Sequence, residues 1–548
     1  MKTLKKLLFV FVLVNFFAFK ADDKKATDNS NAVRTQIEFN QNRISTFIQN
    51  SGTFNQNISI SNSPGFQWTA GSNRFAIFTT GLTLAANINN VLTMAAASYT
   101  GEWSPGYVLN QSYVTNASFK LYKVKRGDNQ NNNPDWANWG LMVPYGAPYN
   151  DVNNNNIYEP AIDTPGVKGA DQSIFLCMTD ADPLSHNQGE GFGGGTPPMF
   201  AEAHMTAWCY NNSQYQDMQF IKWEVINKNI APWTKTYFSI VADPDLGDAA
   251  DDYIGCDTNR NIGYCYNADT IDGNGTPPSY GNNPPVVGIS FLSCAANFAD
   301  MTSFSYYTNS VLGDLVCETD PSTPGEAYRN MMGRKKDNTP FINPQTNQQT
   351  KYCYPGNPVT RQGWTEYAGR IGNCNGAVTG TLTAPAPPGD RRFVMSYGSD
   401  NLSVAPNDTQ KILIAQYIAR GSNFSNSMTS LFQMTAKANE LCQNGFIVGI
   451  SPTSTIVPEK FGLYQNYPNP FNPVTKIKFD IANSNTGQEV KLMVYNTVGK
   501  EVATLVNEKL YPGSYEVTFN GNDLPSGVYF YTLNAGSIKQ TKRMALIK

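Results

Sequence analysis

Six aspartates fall within one short stretch of the sequence, residues 243–257 (DPDLGDAADDYIGCD). They are Asp243, Asp245, Asp248, Asp251, Asp252 and Asp257. Because no lysine or arginine lies among them, carboxylates packed together here would repel one another, and their pKa values would rise unless a cation were bound. Calcium takes about 6–8 oxygen ligands, and Gly247 and Gly255 allow the backbone to turn and present carbonyls. The stretch predicts a calcium site, and the alternative is a solvated acidic turn.

A second loop, residues 151–163 (DVNNNNIYEPAID), matches part of an EF-hand-like calcium loop. Its candidate ligands are Asp151, Asn153, Asn155, the carbonyl of Ile157, Glu159 and Asp163. The loop departs from the pattern at Asn156, where glycine is usual, and at Ile162, where glutamate is usual. Asparagine tolerates the left-handed backbone that the first departure requires. This loop also predicts calcium, and the alternative is an Asn-rich turn without a metal.

Enzyme motifs give weak signals. The sequence contains no GxSxG, no HExxH and no P-loop, and its two histidines exclude a multi-His metal site within one chain. His204 lies in an apolar segment (AEAHMTAW), which favours a core histidine over a catalytic base. His186 lies near Asp180 and Asp182 and is a weak candidate for a metal ligand. The Gly-rich run GFGGGTPP at 191–198 lacks the lysine and helix of a phosphate site, so it is interpreted as a loop.

Charge and cysteine content limit the other functional classes. The 40 basic and 43 acidic residues give a formal charge of −3, without the basic excess of a nucleic-acid-binding protein. No CxxC pair is present, so zinc or thioredoxin chemistry is weakly supported. Cys177 and Cys209 lie in apolar runs and are predicted to be buried thiols. The nine cysteines, an odd number whose pairing the spacing does not assign, are Cys177, Cys209, Cys256, Cys265, Cys294, Cys317, Cys353, Cys374 and Cys442.

The elements that position these residues are predicted to be mostly strands. Short alternating segments separated by Asn, Gly and Pro turns predict a mainly β, multi-domain antiparallel β-sandwich architecture with few helices. One helix is predicted at 427–443, with Ser425 or Ser427 as its cap. Five segments are predicted: a signal peptide at 1–21, an N-terminal β region at 22–125, a large β-rich middle region at 126–450, a linker at 451–460 and a C-terminal domain at 461–548.

The N-terminus has the pattern of an export signal. Lys2, Lys5 and Lys6 precede a 13-residue apolar run at 7–19, and a polar stretch follows. The run is shorter than the roughly 20 residues that span a bilayer. A cleavable secretory signal is therefore favoured over a membrane anchor.

The C-terminal 88 residues alternate between apolar and polar positions, as in Ile477, Phe479 and Ile481, which predicts a small Ig-like antiparallel sandwich. The runs YPNPFNP (467–473) and LPSGVYFY (524–531) closely resemble the type A C-terminal sorting domain of the type IX secretion system. That resemblance implies export through the periplasm and across the outer membrane by the type IX translocon. It also implies attachment to surface lipopolysaccharide or release, and hence a location at the outer-membrane surface or outside the cell.

The body of the protein resembles uncharacterised exported proteins that carry the same domain, without an established activity. The favoured interpretation is a non-enzymatic structural, adhesion or binding protein with calcium-stabilised loops. Its ligand would be an extracellular glycan or protein, and no nucleic acid is expected. The alternative is a secreted hydrolase acting on polysaccharide or another extracellular polymer.

Overall fold

The computed structural model describes residues 34–548 except 61–62, 187–190, 295–298, 310–314, 447–450, 455–457, 459, 483–487, 511–512, 523 and 537. The predicted signal peptide at 1–21 lies outside the described residues. Within the described part of the chain, none of the helices combines the length and the apolar character that a membrane span requires. Strands dominate, as predicted, and every strand pair in the sheets is antiparallel.

Two large sheets form the body. The first sheet runs, in hydrogen-bonding order, through Ser303–Thr308, Arg391–Gly398, Thr234–Asp243, Thr79–Ile88, Thr53–Phe54, Ile44–Gln49, Phe66–Trp68 and Phe75–Ile77, with Gln36–Phe39 and Val91–Ala95 paired beside it. The second sheet runs through Ser104–Pro105, Gln172–Thr179, Ala201–Cys209, Met218–Asn227, Thr409–Ala419, Val286–Phe291, Ile262–Asn267 and Asp252–Asp257, with Tyr122–Lys125 paired beside it. Both sheets therefore draw strands from the predicted segments 22–125 and 126–450.

The two sheets share one apolar core. Ile48 and Phe54 of the first sheet belong to the same buried cluster as Met205 and Trp223 of the second sheet. The rings of Phe54 and Trp223 lie 5.9 Å apart across the interface. This shared burial makes the body a β-sandwich, because the inner face of each sheet is removed from water by the other.

A long helix, Phe424–Gln443, covers the outer face of the second sheet, so the helix predicted at 427–443 is confirmed. Met428 and Leu431 of the helix pack in one buried cluster with Trp208 and Phe220 of the sheet. This cover explains why strands such as Ile262–Asn267 and Val286–Phe291 are buried on both faces.

The cap predicted for that helix was wrong. Asn423 is the N-cap, and its side chain accepts a hydrogen bond from the backbone N–H of Asn426. Ser425 and Ser427 lie inside the first turns, and the Ser427 hydroxyl donates to the carbonyl of Asn423. Serine and asparagine both serve as caps, so composition alone did not choose between them.

Shorter helices cover other surfaces. Pro324–Met331 packs on the outer face of the first sheet, where Ala327 and Met331 join Val241 and Val394 in a buried cluster. Among the described residues, a third α-helix is Pro134–Asn138, and the 3₁₀ turns are Trp139–Leu141, Val143–Tyr145, Ala249–Asp251, Val316–Glu318 and Glu366–Ala368. Two-stranded ladders pair Gln56–Asn57 with Ser63–Pro64, Tyr107–Leu109 with Ser112–Val114, Tyr149–Asn150 with Thr164–Pro165, Ile271–Asp272 with Gly281–Asn282, Phe341–Asn343 with Gln348–Thr350 and Arg370–Gly372 with Thr381–Thr383.

The C-terminal segment forms a second, smaller sandwich, as predicted. One of its sheets orders Ser451–Ser454, Gly513–Asn520, Val474–Ile481 and Gly462–Leu463, and the other orders Glu501–Leu510, Gln488–Tyr495, Gly527–Ala535 and Ile538–Leu546. Ile477, Phe479 and Ile481 are fully buried in its own apolar cluster. Residues 451–454 of the predicted linker pair with Gly513–Asn520 and so add a strand to this sandwich.

Two disulfides cross-link the body. Cys294 bonds to Cys442 near the end of the long helix, and Cys317 bonds to Cys374. Five thiols are free and buried, among them Cys177 and Cys209 as the sequence predicted; the others are Cys256, Cys265 and Cys353. These bonds are compatible with an oxidising compartment outside the cytoplasm.

Candidate metal centre

The six aspartates of residues 243–257 do not converge on one point. Asp243 and Asp245 approach Asp390, which lies just before the strand Arg391–Gly398. Asp248 and Asp251 lie near Asp272. Asp252 and Asp257 stand at the two ends of one strand, and the half-buried Asp257 pairs with Arg260. The predicted cluster is therefore divided among several environments.

The first environment has the geometry of a cation site. Asp243, Asp245 and Asp390 each offer a carboxylate oxygen, and these oxygens lie within 4.8 Å of one another. Asp243 ends the strand Thr234–Asp243 and is buried, whereas Asp245 and Asp390 are half-buried on adjoining loops. Carboxylate oxygens brought together in this way suit a hard cation such as calcium.

A counter-charge that the sequence did not reveal lies beside this group. Arg392 Nε is 3.4 Å from Asp243 Oδ1, and Arg392 Nη1 is 2.8 Å from Asp390 Oδ1. The hydroxyl of Tyr99 donates to Asp243 Oδ2 and accepts hydrogen bonds from Arg392 Nε and Nη2 at 2.9 and 2.7 Å. The acidic stretch itself contains no basic residue. The fold supplies Arg392, which lies 149 positions after Asp243 and 147 positions after Asp245 in the chain.

The pKa values of two carboxyls in this group are raised, mainly because the groups are removed from water. Burial raises the pKa of Asp243 to about 7, although Arg392 lowers it. Burial, together with Asp243 and Asp390, also raises the pKa of Asp245 well above its ordinary value. Burial is the main cause of both rises, and neighbouring carboxylates add to it against the opposing effect of Arg392.

The second environment is a network of backbone hydrogen bonds. Asp272 accepts hydrogen bonds from the N–H groups of Asp248 and Tyr280, and Asp251 accepts from Gly273 and from the side chain of Asn267. Burial raises the pKa of Asp251 to about 6. These carboxylates hold loop backbone in place, which is a sufficient structural role for them.

Asp252 and the two glycines complete the stretch. Asp252 Oδ2 accepts the N–H of Leu246 at 3.0 Å, whereas Oδ1 is buried without a hydrogen bond in the described structure. Gly247 has a φ of +75°, as a turn there predicts. Gly255 serves a different purpose, because it lies within a strand and a Cβ there would come within 2.7 Å of the Tyr264 hydroxyl.

The loop at 151–163 closes on itself. Asp151 accepts hydrogen bonds from the N–H groups of Asn155 and Asn156. Glu159 Oε2 accepts from the side-chain amides of Asn153 and Asn155, both at 2.7 Å. These contacts follow the pattern of an Asn-rich turn, the alternative to calcium that the sequence left open.

The remaining predicted ligands of this loop also have local partners. The buried Asp163 accepts from the N–H groups of Val152 and Glu159. Ile157 donates its N–H to Asn155 Oδ1, and its side chain is exposed. Asn156 has a φ of +61°, in agreement with the left-handed backbone expected at this position. Calcium binding to this loop stays a prediction.

His186 lies in a buried group that ties the Gly-rich loop to the sandwich. Its Nδ1 is 3.6 Å from Glu102 Oε2 and its Nε2 is 3.5 Å from Asp180 Oδ2. Glu102 also accepts the N–H groups of Ala96 and Gly195. Burial alone would lower the pKa of His186, but Asp180 and Glu102 raise it to about 9. The arrangement stabilises packing of the loop.

His204 lies on the strand Ala201–Cys209, as expected from its apolar surroundings, and is half-buried there. Its Nε2 is 3.0 Å from Glu202 Oε1, and its register partner on the neighbouring strand is Cys177. Burial raises the pKa of the Cys177 thiol far above its ordinary value. A thiol held protonated in this way is a poor nucleophile.

Two further buried ion-pair groups have no sequence signal of their own. Glu318 lies between Lys335 and Arg370, at 2.5 and 2.7 Å. Glu366 accepts the N–H of Ile254 and pairs with Arg391 at 3.2 Å. Burial raises the pKa of Glu366 to about 7, against the opposing effect of Arg391. Their partners are distant in sequence, so only the fold reveals them.

The cavities between described residues include two of about 10 Å³ each, room for a single water. One lies between the two sheets, lined by apolar side chains such as Ile48, Met205 and Trp223. The other lies beside Asn267 and Phe424.

Comparison with known proteins identifies the C-terminal sandwich. Residues 465–548 match the family model described as the secretion system C-terminal sorting domain. These residues are a type IX secretion sorting domain. The sorting domain indicates that the protein is exported to the cell surface or the extracellular space, and it implies interaction with the type IX machinery.

The comparisons with whole proteins assign no family to the body. None of the curated proteins matches the chain. Solved structures include a polysaccharide lyase, at 8% identity and a TM-score of 0.18, covering 63% of this chain and 34% of the lyase. They also include dimeric latent PorU from Porphyromonas gingivalis, at 9% identity and a TM-score of 0.14, covering 69% of this chain and 31% of PorU. The chain thus spans about a third of each, and likenesses this low carry no argument about function.

Proposed function

We propose that the protein is a structural, adhesion or binding protein that acts at the cell surface or after release, with calcium-stabilised loops. The observation that carries the proposal is where the ionisable side chains of the body lie and what they contact. Glu102, Asp180 and Glu366 are buried inside the sandwich and are engaged by backbone N–H groups and ion pairs. A hydrolase instead needs its acid and base at a surface that a substrate reaches.

Two features support calcium in this proposal. The carboxylates of Asp243, Asp245 and Asp390 are grouped with an excess of negative charge. The loop at 151–163 contains the carboxylates of Asp151, Glu159 and Asp163, which accept hydrogen bonds from the loop itself and would have to exchange some of these for an ion. Calcium at either site would stabilise the folded state, because the ion binds ligands that only folding brings together.

The test of the binding function is a screen of the purified protein against extracellular glycans and peptides, scored for both binding and turnover. Saturable binding without product formation is expected. Release of oligosaccharides or peptides would instead establish the alternative, a secreted hydrolase. Loss of that turnover on mutation of a particular carboxylate would then locate its site.

The form in which the exported protein stays at the surface is a further part of the proposal. The sorting domain supports delivery by the type IX translocon, and lipopolysaccharide attachment is the proposed mode of retention. A shift of the surface-bound protein to higher and heterogeneous mass, absent in a strain without long polysaccharide chains, is expected. Homogeneous protein of unmodified mass at the surface would contradict the attachment.

A further inference from the structure

The group formed by Asp243, Asp245 and Asp390 carries an inference that goes beyond the acidic stretch itself. Two of its members come from the loop that leaves the first sheet, and the third comes from a loop 145 positions later, as the numbering of Asp245 and Asp390 shows. We propose that these three carboxylates bind one calcium ion, which fastens the crossover between the two sheets of the sandwich. The inference deepens the calcium component of the proposed function and rests on it.

First, one carboxylate oxygen of the group, Asp243 Oδ1, lacks a hydrogen-bond donor among the described residues. Asp243 is 3% exposed, and its Oδ1 atom has no hydrogen-bond donor in the described structure. The nearest cation is Arg392 Nε, at 3.4 Å, which is beyond a strong charge-assisted hydrogen bond. A buried carboxylate oxygen without a donor is costly, so a ligand that coordinates it would stabilise the fold.

The second step concerns Asp245. No hydrogen bond or ion pair to its carboxylate is found among the described residues, although Asp243 and Asp390 lie close by. Other aspartates of the acidic stretch contrast with it, since Asp251 holds backbone and Asp257 pairs with Arg260. Arg392 acts on Asp245 through its charge alone and donates no hydrogen bond to it in the described structure, so this carboxylate is suited to a ligand role.

The third step is charge balance. With all three carboxylates ionised, as metal ligation requires, they and the Arg392 guanidinium carry two negative charges, and Asp320 adds to the negative potential at Asp243. One divalent cation would neutralise the group. The ligand atoms are all oxygens, and two of the three residues are half-buried, which leaves room for water ligands. Oxygen ligands of irregular geometry with several waters favour calcium over zinc, and over the strict octahedron of magnesium.

The position of the group explains what the ion would do. The strand Thr234–Asp243 belongs to the first sheet, and the next strand, Asp252–Asp257, forms the edge of the second sheet. The segment that joins them contains Asp245. Gly389, next to Asp390, already donates its N–H to the carbonyl of Asp252. An ion bound here would therefore link the crossover segment to the loop that precedes Arg391–Gly398.

The test compares calcium binding to the full-length protein and to variants, by equilibrium dialysis and by thermal unfolding with and without chelator. Asp245→Asn with Asp390→Asn is expected to lose one bound calcium, or to weaken that site by about tenfold or more, because ligand charge sets affinity. Asp257→Asn, in the same stretch but paired with Arg260, is the matched control and is expected to keep full binding. Magnesium is expected to bind the unmodified site poorly.

A second measurement, the melting temperature in chelator and in calcium, separates loss of calcium binding from misfolding of the variant. In chelator, Asp245→Asn is expected to melt no lower than the unmodified protein, because the substitution removes like-charge repulsion and no hydrogen bond. In calcium, the unmodified protein is expected to melt higher than the variant. A variant that gains as much from calcium as the unmodified protein would overturn the inference.

The outcomes separate the inference from the function on which it rests. If Asp151→Asn with Asp163→Asn abolishes all calcium binding while Asp245→Asn with Asp390→Asn has no effect, the ion belongs to the loop at 151–163. The inference is then wrong and the calcium-stabilised loop stands. If the unmodified protein binds no calcium, both calcium assignments fail. The structural or binding role, which the glycan and peptide screen measures, is judged separately.

Discussion

At the scale of single residues, the body of this protein holds charge inside its sandwich by pairing side chains that are far apart in the chain. Tyr99 and Arg392 meet at Asp243, Glu366 meets Arg391, and His186 lies between Glu102 and Asp180. Removing one partner from such a group leaves a buried charge without compensation, which costs more than the pair itself contributes. The ionisable groups are therefore sensitive points for stability.

His186→Gln is expected to destabilise the protein in a pH-dependent way. The folded-state pKa of about 9 lies above the unfolded value of about 6.5, so the charged imidazole stabilises the fold below about pH 6.5, and this contribution is lost as pH rises through 9. Near pH 7 the variant should lose about 2–3 kcal/mol, and its stability should approach that of the unmodified protein near pH 10.

The measurement is denaturant unfolding of both proteins between pH 7 and pH 10. Above pH 7 the neighbouring Glu102, whose pKa burial raises to about 7, is largely ionised, so the change reports mainly on His186. A difference between the two proteins that stays constant across this range would show that His186 contributes packing and no charge.

Arg391→Met is expected to cost about 3–5 kcal/mol, because Glu366 would stay buried without its ion pair. Replacing both residues with apolar ones, as in Arg391→Met with Glu366→Leu, should recover part of that loss. Urea unfolding of the two variants measures the difference. Equal destabilisation by both would mean that loss of the hydrogen bond from Ile254 to Glu366 offsets what is gained by removing the unpaired charge.

At the scale of elements, the long helix is held to the second sheet by a narrow apolar face. Leu431 is fully buried there, whereas Gln433, two positions later, is exposed. Leu431→Ala is expected to lower the free energy of unfolding by about 2–5 kcal/mol, while Gln433→Ala should change it by less than about 0.5 kcal/mol. Chemical denaturation provides the comparison. Similar effects of the two substitutions would contradict the helix face described above.

The sequence predicted the elements that are determined by residues close together in the chain. The alternation at Ile477, Phe479 and Ile481 and the 3.6-residue pattern around Leu431 are set by neighbouring residues, and both predictions are confirmed. The left-handed turns at Asn156 and Gly247 are local as well. Backbone conformation and the buried face of an element depend on nearby side chains, so a single sequence reveals them.

The sequence did not reveal contacts that depend on sheet order. It grouped Asp243 and Asp245 with Asp248, Asp251 and Asp257 because they are adjacent in the chain, and the strand and loop directions separate them. It missed Asp390 and Arg392 because a register between Thr234–Asp243 and Arg391–Gly398 brings them close. Pairing between distant strands is the information that composition and spacing lack.

At the scale of the whole molecule, the sorting domain and the body have separate apolar cores. The buried cluster of the sorting domain runs from Leu463 to Leu546, and the clusters of the body contain none of these residues. Each part therefore has the burial that it needs to fold without the other.

Deletion of residues 451–548 is expected to leave the protein in the periplasm with a folded body. The deletion begins at 451 because Ser451–Ser454 belongs to a sheet of the C-terminal sandwich and would otherwise be an unpaired strand. Cell fractionation locates the truncated chain, and its melting temperature is compared with the body transition of the full-length protein. Delivery of the truncated chain to the surface would show that export does not require the sorting domain.

The place of one late strand in the second sheet has a consequence for how the chain is made. Thr409–Ala419 lies between Met218–Asn227 and Val286–Phe291 and is the strand that joins the two halves of that sheet. A nascent chain that ends before residue 409 lacks this strand, so we expect ribosome-stalled chains of that length to be digested rapidly by protease, and chains extended past the helix at 424–443 to resist. The body would thus stay unfolded through most of its synthesis. An unfolded chain is narrow enough to pass through a translocation pore.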